Sequence, residues 1–381
     1  MKIVFISNFY NHHQAPFSEA MYKLLGGDYY FISTEKIPDE RIKLGYKSQN
    51  FPVFVKEIFK DDTTNKLCQQ LINDAEVVIV GSPYNQFIKQ RLRKGKLTFR
   101  YSERLLKHFS IIKYIGYCVR QIMYTNFRKN LYLLCASAFA AADYNKMFSF
   151  RGKCFKWGYF PAIKKYDQIT DLIYSKEEHS LLWVARFLDW KHPEIPIELV
   201  KRLKNKGFHI KLRMIGNGPQ MEHIIRYVNQ NGLQSEIQIL GSMSPEEVRT
   251  YMEKSQIFLF TSDRNEGWGA VLNEAMNSGC AVVASHAIGA VPFLINDGIN
   301  GMIYRDGNID ELVEKVEYLL QQPDVRLKLG MQAYHTMFST WNAEVAAQRF
   351  LDLIHSLQNG KEPRYVDGPC SRASILEDNW K

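Results

Sequence analysis

Short apolar runs alternate with segments of helical periodicity along nearly the whole chain, and no other feature restricts its fold as much. In the first half the runs are 2–7, 29–33, 75–82, 96–102, 131–137 and 154–160. In the second half they are 180–186, 209–216, 237–241, 256–262, 280–285 and 301–305. Helical spacing falls between them, at 16–25, 193–206, 219–231, 245–254 and 309–321, with a last helix at 341–357. Strands alternating with helices specify βαβ units and mainly parallel sheets. Two such series in 381 residues predict an α/β protein of two Rossmann-like, doubly wound domains. The polar stretch 161–179 marks the boundary. The expected division is 1–165, 166–340 and a C-terminal piece 341–381, whose helix crosses back toward the first domain and whose polar end caps the fold or is mobile.

Composition narrows the class. With 46% hydrophobic and 23% charged residues the chain reads as globular, not disordered or collagen-like. Cys68, Cys118, Cys135, Cys154, Cys280 and Cys370 form no C-x-x-C pair, which fits reduced, buried thiols in a cytoplasmic protein. No leader is expected, since the apolar start is short, and no run is long enough to span a bilayer. The net charge of +9 is uneven: residues 1–165 carry +15 and residues 166–381 carry −6. Residues 88–130 hold twelve Lys/Arg against Glu103, interleaved with aromatics. That pattern suits an anionic membrane surface or an ordinary basic face. No nucleic-acid-binding motif accompanies it, so nucleic acid is not an expected partner.

In open α/β sheets, ligands bind outside the carboxyl ends of the strands. The richest such segment is 261–279, TSDRNEGWGAVLNEAMNSG. Gly267 and Gly269 permit close backbone approach, and a helix from about Ala270 to Ser278 offers N–H groups suited to phosphate. Glu266 lies before that helix and Glu274 within it. Were both helical they would stand about 12 Å apart; a loop position for Glu266 lets both face one elongated, hydroxyl-rich ligand. By themselves the two glutamates fit solvated surface positions equally well.

The string E-G-W-G-x-x-x-x-E-A-M-x-S-G-x-x-V-V-A-S, with its Glu266-x7-Glu274 spacing, resembles the signature of retaining GT-B glycosyltransferases, in particular family 4. The resemblance extends over about 180–357 through Arg186, Lys191, the Gly216-Asn217-Gly218-Pro219 turn, Leu240–Gly241 and the N-D-G-I-N-G string at 296–301. It implies two Rossmann-like domains facing an interdomain cleft, acceptor on the first and nucleotide sugar on the second. Arg186 and Lys191 would hold the diphosphate, Glu266 the donor sugar and Glu274 the ribose. Gly216, Asn217, Gly218, Gly241 and Met243 would lie near the nucleoside. Gly267, Trp268, Gly269, Ala270, Val271 and Leu272 would form the donor loop and helix start.

The chain departs from the family in several places. Ala185 and His192 stand where glycines are frequent, and Phe293 where an acidic residue is. His12 and His13 replace a Gly-rich loop. Tyr101, Ser102 and Glu103 occupy the region where relatives keep a His. His12, His13, Ser102 and Glu103 are the acceptor-side candidates; Glu103 could equally be a charge at a helix start.

No D-x-D, H-E-x-x-H or Cys/His cluster is present. No metal or other cofactor is therefore expected, with the nucleotide sugar as co-substrate. The implied reaction is retaining transfer from a nucleoside-diphosphate sugar, UDP-sugar first, to a glycan or lipid-linked saccharide in cell-surface polysaccharide synthesis. The enzyme would be cytoplasmic, or peripheral on the inner face of the plasma membrane. The alternatives are another nucleotide-sugar enzyme of this fold (an epimerase or hydrolase) and a non-catalytic binding protein.

Overall fold

The computed structural model describes residues 1–42, 50–81, 85–107, 115–116, 118–119, 122, 125 and 129–381. Two compact units emerge. One comprises Met1–Ala162 with Trp341–Trp380, the other Ile163–Thr340 with Lys381.

The first unit is built on β1 (Ile3–Ser7), β2 (Tyr29–Ser33), β3 (Val55–Glu57), β4 (Val77–Gly81), β5 (Thr98–Ser102), β6 (Leu131–Cys135) and β7 (Cys154–Lys156). They pair in parallel in the order β3-β2-β1-β4-β5-β6-β7. β1 and β4 are buried along their full length, which is why they read as apolar runs, and β5 is equally buried although it carries Thr98, Arg100 and Ser102. β3 escapes the sequence reading because it is a three-residue edge strand, Val-Lys-Glu, with one buried side chain.

The C-terminal helix Ala343–Gln358 belongs to this unit's core. Phe350, fully buried, packs with ring centroids 5.0 Å from Phe99 and 5.7 Å from Trp157. Beyond it the polar tail is ordered by pairing. Lys156 N–H donates to Ser371 O and Cys370 N–H to Lys156 O, both at 2.8 Å, so the tail covers the outer edge of β7.

The second unit carries β8 (Glu177–Val184), β9 (Lys211–Ile215), β10 (Ile237–Ile239), β11 (Ser255–Phe260), β12 (Ala281–Ser285) and β13 (Met302–Tyr304). Their order is β10-β9-β8-β11-β12-β13, again parallel. In this unit three helices lie outside the sequence expectations, one of them the single turn Val291–Leu294. Ile169–Tyr174 falls in the stretch read as a linker. Pro323–Ser339 runs unbroken through Gly330, where a Cβ would lie 2.5 Å from Gly279 O. Close packing, not helix propensity, selects that glycine.

The basic segment is not a simple charged face. Arg91 is fully buried and donates to the carbonyls of Ile72, Ala75, Glu76 and Leu97 and to Thr98 Oγ1, at 2.8–3.2 Å. Burial pulls its pKa down to about 10. Arg100 and Arg104 are buried as well. Three of the twelve cations are therefore structural, which corrects the surface reading for them. Lys113, Arg120, Arg128 and five of the aromatics (Phe109, Tyr114, Tyr117, Tyr124, Phe127) lie outside the described residues. Among the described residues no helix is long and apolar enough to cross a membrane.

Candidate active site

In the second unit the strand order reverses between β8 and β11, the topological switch point where such sheets bind ligands. Arg186 and Lys191 follow β8, and Glu266 follows β11. The topology alone brings these three segments to one end of the sheet.

The loop after β8 is fixed by the glycine turn after β9. Phe187 N–H donates to Asn217 O at 3.0 Å, and Gln220 N–H to Phe187 O at 3.1 Å. At Gly216, φ is +140° and a Cβ would sit 1.9 Å from Ala185 O; at Gly218 it would sit 2.5 Å from Phe187 O. These glycines let two backbones pass at contact distance, so their role is to place the Arg186 segment. Asn217 Oδ1 accepts from Gly218 N–H at 2.7 Å and closes its own turn. Gly241 O accepts from Gly216 N–H at 2.8 Å, while Met243 is half-buried beyond it.

A second set of bonds joins the β8 and β11 loops. Trp183 Nε1–H donates to Thr261 Oγ1 at 2.9 Å, and that hydroxyl donates to Lys191 O at 2.8 Å. Asp263 N–H donates to Trp190 O at 3.0 Å. His192, at a position where the sequence resemblance leads one to expect glycine, holds a left-handed conformation, φ 51°. Its ring compensates by meeting Glu194 Oε1 at 3.0 Å and Asp263 Oδ2 at 3.5 Å, and the Glu194 contact raises its pKa.

Lys191 and Glu266, both 8% exposed, form an ion pair, and Ser262 Oγ donates to Glu266 Oε2 at 3.1 Å. The Lys191 ammonium also lies 4.3 Å from the Trp190 ring centroid. Arg186 is exposed. The loop runs on to helix Val271–Asn277, one residue shorter at each end than expected. It is pinned by Gly289 N–H to Glu266 O and Ala290 N–H to Trp268 O, at 3.3 and 3.2 Å.

Trp268 and Leu272 are corrections to the donor-contact expectation. Both are fully enclosed, and Trp268 Nε1–H is taken by Asn273 Oδ1 at 2.9 Å. Their side chains form the floor beneath the loop. The Phe293 ring packs with its centroid 6.3 Å from that of Trp268. Gly267 is buried, whereas Gly269, Ala270 and Val271 are partly open where the helix begins.

Glu274 stands half-buried in the first helical turn, and among the described residues its carboxylate has no hydrogen-bond partner. Burial pushes its pKa above the ordinary carboxylate range, and Arg249 pulls it part of the way back. Between the ordinary and the raised value the folded chain holds a proton that the unfolded chain has released. Stability therefore falls as pH rises through that window. Glu274→Gln should abolish this slope and raise stability at neutral pH by about 1 kcal/mol. Urea unfolding across pH checks this; an unchanged slope would mean that the carboxylate is not desolvated.

The first unit gathers a separate cluster. His12 and His13 follow β1 with rings 3.9 Å apart, and His13 lies 5.6 Å from the Tyr159 ring. Glu103 sits in a loop, not at a helix start. It accepts from Tyr159 Oη–H at 2.6 Å and from Lys107 Nζ–H at 3.1 Å. Ser102 is 4% exposed and internally committed, donating to Glu103 O at 2.8 Å and accepting from Tyr144 Oη–H at 3.2 Å. It is a structural tie, which corrects its candidacy as an acceptor contact. Sequence reasoning missed Tyr159 and Ser262, since nothing in W-G-Y-F or T-S-D distinguishes either residue.

Residues 168–336 match the family described as glycosyl transferases group 1. Trehalose synthase of Pyrococcus horikoshii is 30% identical over 189 residues, 48% of this chain and 45% of that protein. Alpha-D-kanosaminyltransferase of Streptomyces kanamyceticus is 28% identical over 153 residues, 40% and 39% of the two chains. The matched region thus spans less than half of these curated relatives. Among solved structures, Anabaena Alr3699/HepE in complex with UDP superposes with TM-score 0.70 at 14% identity, covering 93% of this chain and all of that one. The lipopolysaccharide outer core galactosyltransferase WaaB reaches 0.68 at 18%, covering 94% and 100%. At these identities the structures establish the fold, two Rossmann-like units of the GT-B type.

Proposed function

We propose, with residues 168–336 carrying a glycosyl transferases group 1 domain as the premise, that this chain transfers a glycosyl group from a nucleoside-diphosphate sugar to a hydroxyl. The observation that carries the proposal is the placement of two cations and two carboxylates on the segments that meet one topological switch point, with Lys191 against Glu266, Arg186 exposed and the Glu274 carboxylate without a hydrogen-bond partner among the described residues. Arg186 and Lys191 hold the diphosphate and stabilise its charge as the glycosidic bond breaks. Glu266 accepts from sugar hydroxyls and Glu274 from the ribose, while Gly241 and Met243 flank the base. These cations do the work a divalent ion does in metal-dependent sites.

UDP is the first candidate nucleotide, since solved neighbours of this fold were captured with UDP and UDP-glucose. The acceptor is a glycan or lipid-linked saccharide of cell-surface polysaccharide synthesis, bound by the first unit at His12, His13 and Glu103. A lipid-linked acceptor would bring the chain to a membrane surface; Arg93, Lys94 and Lys129 are exposed cations of the basic segment free to meet it. Transfer proceeds with retention. The acceptor oxygen bonds to the anomeric carbon on the face that the diphosphate leaves, and the acceptor proton passes to the leaving phosphate.

The test is thermal stability against UDP-, GDP-, ADP- and dTDP-sugars, with Arg186→Ala and Glu274→Ala alongside. A donor at about 100 times its Kd should stabilise the fold by roughly 2.7 kcal/mol. One nucleotide class should stabilise the parent and neither variant, and NMR of the first-formed product should show retained configuration. Stabilisation undiminished in both variants would refute the site.

A further inference from the structure

Lys191 and Glu266 are each other's charged partner, yet the proposed function gives them different ligands: a diphosphate for the ammonium, sugar hydroxyls for the carboxylate. We infer that this ion pair discriminates the intact nucleotide sugar from the free nucleoside diphosphate, penalising the latter. The inference rests on the proposed function and names a selectivity within the same site.

A diphosphate reaching Lys191 competes with Glu266 for the ammonium of a residue that is only 8% exposed. A nucleoside diphosphate compensates only one end. It leaves Glu266, 8% exposed, with Ser262 Oγ as its remaining hydrogen-bond donor among the described residues. An enclosed carboxylate without its cation is among the costliest arrangements a protein can hold. The intact donor compensates both ends, because its sugar hydroxyls donate to the carboxylate as its phosphates take the ammonium. The Gly269 backbone lies beside the Glu266 stem, since a Cβ added there would come within 3.3 Å of Glu266 Cγ. Once the sugar has left, re-formation of the pair opposes retention of the diphosphate product. The same contact would favour donor capture and product release.

The experiment is calorimetric titration of UDP and UDP-glucose, with the GDP, ADP and dTDP pairs in parallel, into the full chain and its Glu266→Gln variant. The unmodified chain should prefer the sugar-bearing ligand by about tenfold or more. In Glu266→Gln the free diphosphate should bind about tenfold tighter than in the parent, and the preference should collapse. Glu266→Ala, checked by thermal unfolding, should show the same collapse and guards against a folding defect peculiar to the amide. Diphosphate affinity that is equal or weaker in both folded variants overturns the inference alone, leaving the proposed function in place. Failure of every diphosphate and donor to bind the parent overturns both.

Discussion

Lys191→Ala is expected to lose both stability and turnover. Among the described residues the substitution leaves Glu266 buried with the Ser262 hydroxyl as its remaining hydrogen-bond donor. Breaking one side of a buried pair costs about 3–5 kcal/mol, a large share of the total stability of an ordinary domain. Urea unfolding should show it directly. Under the proposed function catalysis falls for a separate reason: the ammonium would stabilise the further negative charge that develops as the diphosphate departs. Removing one such group typically lowers turnover by about 10²–10³-fold. The double change Lys191→Met with Glu266→Gln separates the two effects. It removes both charges, so most of the stability should return while turnover stays low. A Lys191→Ala protein as stable as the parent would show that the pair is solvated and that its burial has no energetic consequence.

Gly216→Ala should be nearly as damaging, although it changes no functional group. The new Cβ would lie 1.9 Å from Ala185 O, so one of two adjacent backbones must move. Gly216 also sits at φ +140°, outside the range alanine tolerates. Sterics and strain together should cost about 3 kcal/mol or more, and the shift falls on the segment carrying Arg186. Gly241→Ala is the matched control: φ there is +74°, but nothing lies within 4 Å of the added methyl. Its cost should be about 1 kcal/mol. Thermal or urea unfolding of the pair decides the matter, and equal losses would contradict the close-approach argument.

The sequence makes the architecture legible because parallel strands are buried on both faces. Runs such as Ile3–Ser7 and Val77–Gly81 leave little room for polar residues and announce themselves. β3 and helix Ile169–Tyr174 are short and mixed in polarity, so periodicity has too few residues to act on. Among the candidate site residues, Arg186, Lys191, Glu266 and Glu274 stand out through the string of motifs that resembles a known family, since taken alone the two glutamates fit solvated surface positions equally well. Trp268 and Ser102 mislead for a related cause. A polar or aromatic residue in a motif can serve the fold beneath the site as readily as the ligand above it, and only the hydrogen bonds to Asn273 and Tyr144 reveal which. The basic stretch 88–130 shows the limit of composition, since charge counting cannot see that Arg91 is spent on backbone carbonyls.

A crystal structure of the full chain with the nucleotide sugar giving the largest thermal shift tests the central claim most directly. It should show diphosphate oxygens on Arg186 and Lys191, sugar hydroxyls on Glu266 in place of the ammonium, and ribose hydroxyls on Glu274. A nucleotide seated elsewhere, or a donor bound with Lys191 still on Glu266, would contradict it.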